Sequence, residues 1–349
     1  MSRARDFADL AGSADAGGLT GRNLIINGAM RIAQRSSGPV SVADSSNEGY
    51  QTLDRFGLYY GNNAGGVVDV SQSTDVPSGY GFTNSYKVDV TTADTSIAAT
   101  HHIFVSHSVE AQDVANSGWN HASSSSYMTL SFWAKSSKAG TYCASMTAPD
   151  SASTRIFVKE YTLVANTWKN VEITFPGESG VTVNNDTGVG LQIKWALQAG
   201  SDRDNATDDT WNSSDTSIAT SNQVNFYDST DNNFFLTGVQ LEVGEKATPF
   251  EHRSFGDELA RCQRYYETGR FAFKVPTEGV TNLASGMGGY HSFVTTKRAA
   301  PTLTSSNSTA EKVDTTSLNP HTSGIEFNGR VTDGTRSRWI GTFTADSEL

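Results

Sequence analysis

Long apolar runs, clustered positive charge and a cysteine framework are all missing from this chain, and each absence removes a class of function. No segment approaches about 18 consecutive apolar residues, so no membrane-spanning helix is expected. Lys and Arg number 26 against 37 Asp and Glu, a formal net charge of −11. Phosphate backbones are held by clustered Lys and Arg, so nucleic acid is not an expected partner. The two cysteines, Cys143 and Cys262, are too few and too far apart for a disulfide framework. Thiols are expected there, with stability coming from packing or association. The opening MSRARDFADLAG carries charges with no apolar stretch behind them, so no signal peptide is expected. Catalytic signatures are absent as well: no G-x-S-x-G elbow, no phosphate-binding loop, no Rossmann glycine pattern and no H-E-x-x-H.

Hydrophobic residues make up 36% of the 349 and charged residues 18%, below globular averages of roughly 45–50% and about 25%. Ser, Thr, Asn and Gly take up the difference. With 10% aromatics, that balance suits a turn-rich β protein with a neutral polar surface. Strand signals dominate from Asn23. An apolar run there turns at Asn27-Gly28. Candidate strands follow at Phe56–Tyr60, Val67–Val70, Tyr86–Val90, Tyr127–Lys135, Thr141–Met146, Ile156–Tyr161, Trp168–Phe175, Gly190–Trp195, Phe226–Tyr227 and Phe234–Val243. Short strands parted by turns, with no sustained helical period, predict an all-β antiparallel jelly-roll sandwich. Gly61 to Gly81 and the Asp/Asn/Ser/Thr tract Gly200 to Asn222 read as long loops.

Ser254-Phe255-Gly256-Asp257 has capping-box spacing and predicts a short helix, with Leu259, Cys262 and Tyr266 on one face. Beyond it, Arg270–Val275, Gly289–Thr296, Ile325–Val331 and Arg338–Thr344 predict a second, smaller C-terminal β-sandwich. The expected organisation is an N-terminal arm at 1–22, a jelly roll at 23–253, a linking helix at 254–266 and a β tip at 267–349. In the arm, Phe7 and Leu10 fall on one side of a brief helix, and the glycines after it suit a segment ordered by docking.

The runs NLIINGAM, LSFWAKS, LVANTWKNVEITFPG, FFLTGVQLEVGEKATPFEHRSFGDELARCQRYYE and the terminal WIGTFTADSEL resemble tail-fibre and related virion proteins of tailed bacteriophages, particularly marine ones. The first domain is also similar to jelly-roll carbohydrate-binding modules that open N-L-x-x-N-G-x-F-E. Asn23, Leu24, Asn27 and Gly28 keep that pattern. Met30 stands where Phe is expected and Arg31 where Glu is expected; that Glu commonly helps hold a structural calcium. The resemblance implies a non-catalytic, homotrimeric tail fibre that adheres to host surface polysaccharide. It implies attachment to a tail or adaptor protein through Phe7 and Leu10 in the arm, and a place on the virion tail after synthesis in the host cytoplasm. A structural collar or capsid-surface fibre, a polysaccharide-degrading tail enzyme and a secreted carbohydrate-binding protein are the alternatives.

Sugar sites use aromatic faces for stacking and amides or carboxylates for hydroxyls. Trp133, Trp168 and Trp195 sit in alternating strands and read as core or sheet-face residues. Trp119 and Trp211 lie among Asn, Ser and Asp, and with Tyr227 they are the expected carbohydrate contacts. The Leu259, Cys262 and Tyr266 stripe is the expected subunit interface. His101, His102, His107 and His121 read as polar strand histidines. No cofactor is expected. Asp202, Asp204, Asp208 and Asp209 have partial calcium-loop spacing, but Ala206, Thr207 and Ser213 break it. A solvated acidic loop is expected, a surface calcium near Asp202, Asp204 and Asp208 being the alternative.

Overall fold

The computed structural model describes residues 21–61, 65–214, 216–275, 287–311, 313–331 and 337–349. Phe7 and Leu10 lie outside the described residues, as does the arm before Gly21. Contacts divide the chain into two units after Arg253. Among the described residues no helix is long and apolar enough to cross a membrane.

The first unit is an antiparallel jelly-roll sandwich. Its elements run β1 (Val40–Val42), β2 (Gly57–Gly61), β3 (Val67–Ser73), β4 (Ser85–Thr92), β5 (His102–Glu110), a short helix α1 (Ala111–Ala115), β6 (Tyr127–Ser136), β7 (Gly140–Ala148), β8 (Arg155–Leu163), β9 (Lys169–Pro176), β10 (Val189–Ala199), β11 (Thr210–Asn212) and β12 (Asn233–Val243). One six-stranded sheet has the order β1-β3-β4-β12-β6-β9, the other β11-β8-β7-β10-β5-β2. Alternation decides which side chains face the core. Val88 and Val90 of β4, Leu130 and Phe132 of β6, and Ile193 and Trp195 of β10 all join one buried cluster. Trp195 is fully buried, with its ring 6.1 Å from Phe56 and 5.7 Å from Phe132, and so ties the two sheets together.

Three sequence expectations change here. Residues 23–30 do not form a strand. Instead Asn23 Oδ1 accepts from Ile25 N (2.9 Å) and Leu241 N (3.0 Å), while Leu24 N donates to Leu241 O (2.9 Å). Side-chain bonding replaces the ladder, as Asn readily does. Asn27, at φ 62°, bonds both polar backbone groups of Ile32, and Gly28 lies against Val239 O with no room for a side chain. The Asn23–Gly28 segment is therefore a structural clasp. Its other half is the chain's exit from the unit. Glu251 accepts from Gly21 N (2.6 Å) and Asn23 N (2.9 Å), and Arg253 donates to Ile25 O (2.9 Å). Burial alone would raise the Glu251 pKa. The two N–H bonds and the charges of Arg253 and Arg22 outweigh it and hold the carboxyl below the usual range.

Phe226–Tyr227 forms a 3₁₀ turn capped by Asn225, whose side chain accepts from Tyr227 N, rather than a strand. The 200–222 tract, expected as a long loop, packs on the outer face of the second sheet. Ile218 and Ala219 join Phe104, Cys143, Ile156, Val158 and Ala196 in a separate apolar cluster, and Arg203 O accepts from Ile218 N (2.9 Å) and Ala219 N (3.1 Å). Cys143 and Cys262 are both buried and not joined as a disulfide.

The second unit begins with α2 (Phe255–Gln263), where Ser254 Oγ accepts from Asp257 N (3.2 Å) and donates to its carboxylate (2.6 Å). Then come β13 (Tyr266–Val275), β14 (Met287–Ser292), β15 (Thr302–Glu311), β16 (Val313–His321), β17 (Gly324–Val331) and β18 (Ser337–Asp346). They form two three-stranded sheets, β13-β18-β15 and β14-β17-β16, around Phe271, Phe293, Ile325, Phe327, Trp339 and Phe343. Of the expected interface stripe, Cys262 is fully buried and Tyr266 is 8% exposed within the single chain, while Leu259 is half-buried. A short helix covers its apolar side against its own fold first. Lys297 is also buried here, its Nζ 2.7 Å from Glu267 and bonded to Gln263 O.

Candidate functional site

In β6, Met128, Leu130, Phe132 and Ala134 point inward, which leaves Thr129, Ser131, Trp133 and Lys135 on the outer face of the first sheet. β9 repeats the pattern: Val171, Ile173 and Phe175 go inward, Asn170, Glu172 and Thr174 outward. The register sets Trp133 opposite Asn170 and Ser131 opposite Glu172. These four side chains belong to one cleft of about 360 Å³, at the small end of the roughly 300–1,000 Å³ typical of ligand pockets.

Two segments wall the cleft. Before β4, the chain contributes Tyr80 and Phe82; after β12, residues 247–252 contribute Ala247, Thr248, Pro249, Phe250 and His252. The Tyr80 and Trp133 rings lie 4.4 Å apart, and Phe82 meets Phe250 at 5.0 Å and His252 at 5.3 Å. Tyr80 is 55% exposed, and His252 Nε2 holds its carbonyl at 3.1 Å. The second wall is fixed by buried Glu242, which accepts from Thr248 N (2.8 Å) and Thr248 Oγ1 (2.7 Å), and by Gln240 Oε1, which accepts from Glu251 N (2.8 Å).

A bulge in β12 between Thr237 and Gln240 shapes the floor. Gly238 sits there at φ 62°, and a Cβ would lie 2.6 Å from Phe82 Cζ and 3.0 Å from Trp133 Cδ1. Gly238→Ala is therefore expected to cost about 1–3 kcal/mol through backbone strain and to push Phe82 and Trp133 apart. Denaturant melting measures the first effect and quenching of Trp133 fluorescence the second.

Beside the cleft, Lys135 pairs with Asp75, which also accepts from Trp168 Nε1 (3.0 Å). Burial pushes the Asp75 carboxyl up, but the Lys135 and Trp168 bonds pull it below its ordinary value. The Lys135 ammonium lies 4.4 Å from the centre of the Phe235 ring. Asn170 and Glu172 differ: among the described residues neither side chain has a hydrogen-bond or ion-pair partner. The cleft thus combines aromatic faces, one amide and one uncommitted carboxylate.

None of the expected sugar contacts lies here. Trp119 is 4% exposed, packs edge-on against Phe175 and spends its Nε1–H on Ser126 O. Trp211 is half-buried against Phe157 and Phe175 and donates to Pro176 O (2.8 Å). Tyr227 is fully buried with its hydroxyl 3.3 Å from that of Tyr60, and burial raises both phenols, Tyr60 to about 12. Polar neighbours in sequence concealed three rings that finish core edges. His107, read as a strand histidine, lies on β5 with its side chain buried. Asp208 is taken by Lys159 Nζ (3.0 Å) and Glu160 N (2.8 Å), and among the described residues no three acidic, His or Cys side chains gather as a metal-holding group, Asp202, Asp204 and Asp208 included.

No protein-family model matches the chain, and no curated protein matches it. Solved structures do show likenesses. The enzymatically active domain of tailspike protein 4 of bacteriophage CBA120 aligns at 12% identity and TM-score 0.33, over 64% of this chain and 21% of that one. The family 11 carbohydrate-binding module of a cellulosomal cellulase of Clostridium thermocellum aligns at 15% identity and TM-score 0.28, over 61% of this chain and 98% of that one. A xylan-binding domain from Paenibacillus barcinonensis aligns at 11% identity and TM-score 0.28, over 62% of this chain and 100% of that one. The chain therefore spans about a fifth of the tailspike domain and essentially the whole of each module.

Proposed function

We propose that the jelly-roll unit binds a saccharide in the cleft over Trp133, and that the chain is a tail fibre of a tailed bacteriophage that adheres to host surface glycan without cleaving it. One observation carries the binding reading: Trp133 and Tyr80 offer ring faces beside Asn170 and Glu172, two polar side chains without partners among the described residues. Apolar sugar faces stack on such rings while hydroxyls bond to amide and carboxylate. Among the described lining residues Glu172 is the single carboxylate, whereas glycoside hydrolysis ordinarily uses a pair; that favours holding over cutting. The fibre role is supported by the sequence resemblance, which also implies a homotrimer attached through its N-terminal arm. Single sugar contacts near millimolar are worth about −4 kcal/mol, and three linked copies raise avidity by about 10²–10⁴ where geometry permits.

Trp133→Ala is expected to weaken binding to host-envelope glycan at least tenfold, about 1.4 kcal/mol, with little change in melting temperature because Trp133 lies on the outer face. Calorimetric titration and particle adsorption measure this. Unchanged adsorption would favour a purely structural fibre, and release of sugar fragments from the envelope glycan would favour an enzyme.

A further inference from the structure

Charge inside the cleft is one-sided. Glu172 is exposed and unpartnered, and the described lining residues include neither Lys nor Arg. Two cations beside the cleft are paired, Lys135 with Asp75 and Arg22 with Glu242 (3.5 Å). His252, which does line the cleft, is turned toward Tyr80 O. A ligand entering over Trp133 therefore meets a carboxylate that can only accept hydrogen bonds, and an Asn170 amide that can both accept and donate.

We infer that Glu172 is a specificity-determining residue that makes the cleft select uncharged saccharides and reject acidic ones; this rests on the reading of the cleft as a glycan site. Asn170 and Glu172 are two residues apart on β9 and so share its outer face, beside Trp133 and Ser131 of β6. A neutral ring stacked on Trp133 presents hydroxyls that donate to Glu172, and a hydroxyl loses little by trading water for a carboxylate. A uronic or sialic acid brings a second acceptor-only anion to the same wall. Among the described lining residues neither anion then has a counter-ion, the neutral donors such as the Asn170 amide must be shared between two acceptors, and the like charges repel in a partly desolvated cleft. The carboxylate thus rewards the neutral ligand and penalises the acidic one.

The test uses the full chain on an array of neutral oligosaccharides and their uronic-acid counterparts of the same linkage. Wild type is expected to favour the neutral member at least tenfold, equivalent to about 1.4 kcal/mol. The preference should shrink in about 1 M salt, where charges beyond about 3 Å are screened. Glu172→Gln keeps shape and hydrogen bonding while removing the charge; it is expected to fold as wild type by circular dichroism and to lose most of the preference by gaining acidic ligands. Wild type binding both members equally, or the variant keeping the full preference, would overturn the selectivity and leave the glycan site standing. Binding to neither member overturns the glycan reading and the selectivity together.

Discussion

Lys297→Ala is expected to destabilise the C-terminal unit by about 3–5 kcal/mol, a large share of the roughly 5–15 kcal/mol that holds a domain folded. Neither partner of this pair reaches solvent appreciably: the side chains of Lys297 and Glu267 are 0% and 4% exposed. Burial pulls the Lys297 ammonium below the usual lysine value, and the Glu267 bond opposes that pull. The ammonium also reaches Gln263 O at the end of α2 and lies 4.6 Å from the Phe293 ring centre. Truncation would strand Glu267 as a buried anion; its remaining contact, Val294 N, is long at 3.3 Å. Hydrogen exchange of amides in β13 and β18 reports this unit separately. The double variant Lys297→Met, Glu267→Leu is expected to recover most of the loss, because replacing both charges removes the desolvation cost along with the attraction. A double variant as unstable as the single one would contradict this account.

The first unit is expected to lose stability below about pH 6.5, at a limiting slope of about 1.4 kcal/mol per pH unit for one histidine. His107 points inward from β5, 4.9 Å from Phe56 and beside the Ile26 backbone, to which its Nε2 is 3.2–3.3 Å. Burial first, and then the Arg55 charge, hold its pKa well below 6.5. The sign follows from those causes. An unfolded chain takes up the proton at the ordinary value, while the folded one refuses it. Stability is therefore complete above about 6.5 and drains as pH falls toward the depressed folded value. His102 is shifted the same way, chiefly by burial. His107→Gln can keep a contact to Ile26 without titrating, so it is expected to flatten part of the pH dependence between about 6.5 and 5 in chemical denaturation. An unchanged slope would place the acid sensitivity elsewhere.

The fold was legible in sequence because alternation is a direct record of sheet facing. YMTLSFWAK and WKNVEITF became β6 and β9 within a residue or two. The Ser254 cap was legible for the same reason, since a local side-chain bond needs only local spacing. β15 and β16 were not, because TLTSSNSTAE and VDTTSLNPH carry almost no apolar alternation to read. The cleft was half legible. Trp133 sits at the polar phase of its strand, between Ser131 and Lys135, and that misplaced ring was the available signal. Tyr80, Phe250 and His252 come from segments far apart in sequence, and only the β12 bulge and the clasp bring them alongside Trp133. Trp119 and Trp211 misled because a tryptophan's surroundings in sequence say little about where its large ring comes to rest.

The clasp at Asn23, Glu251 and Arg253 has a mechanical consequence. Entry and exit of the jelly roll lie side by side, so tension drawn through the chain passes from Gly21 to Arg253 across a few bonds. It does not have to travel along the twelve strands. Under load those bonds are the first to be stretched, while the sheets hang off the line of force like a lantern from a cord. A body suspended in that way can keep the Trp133 cleft in shape while whatever holds the chain at either end is pulled.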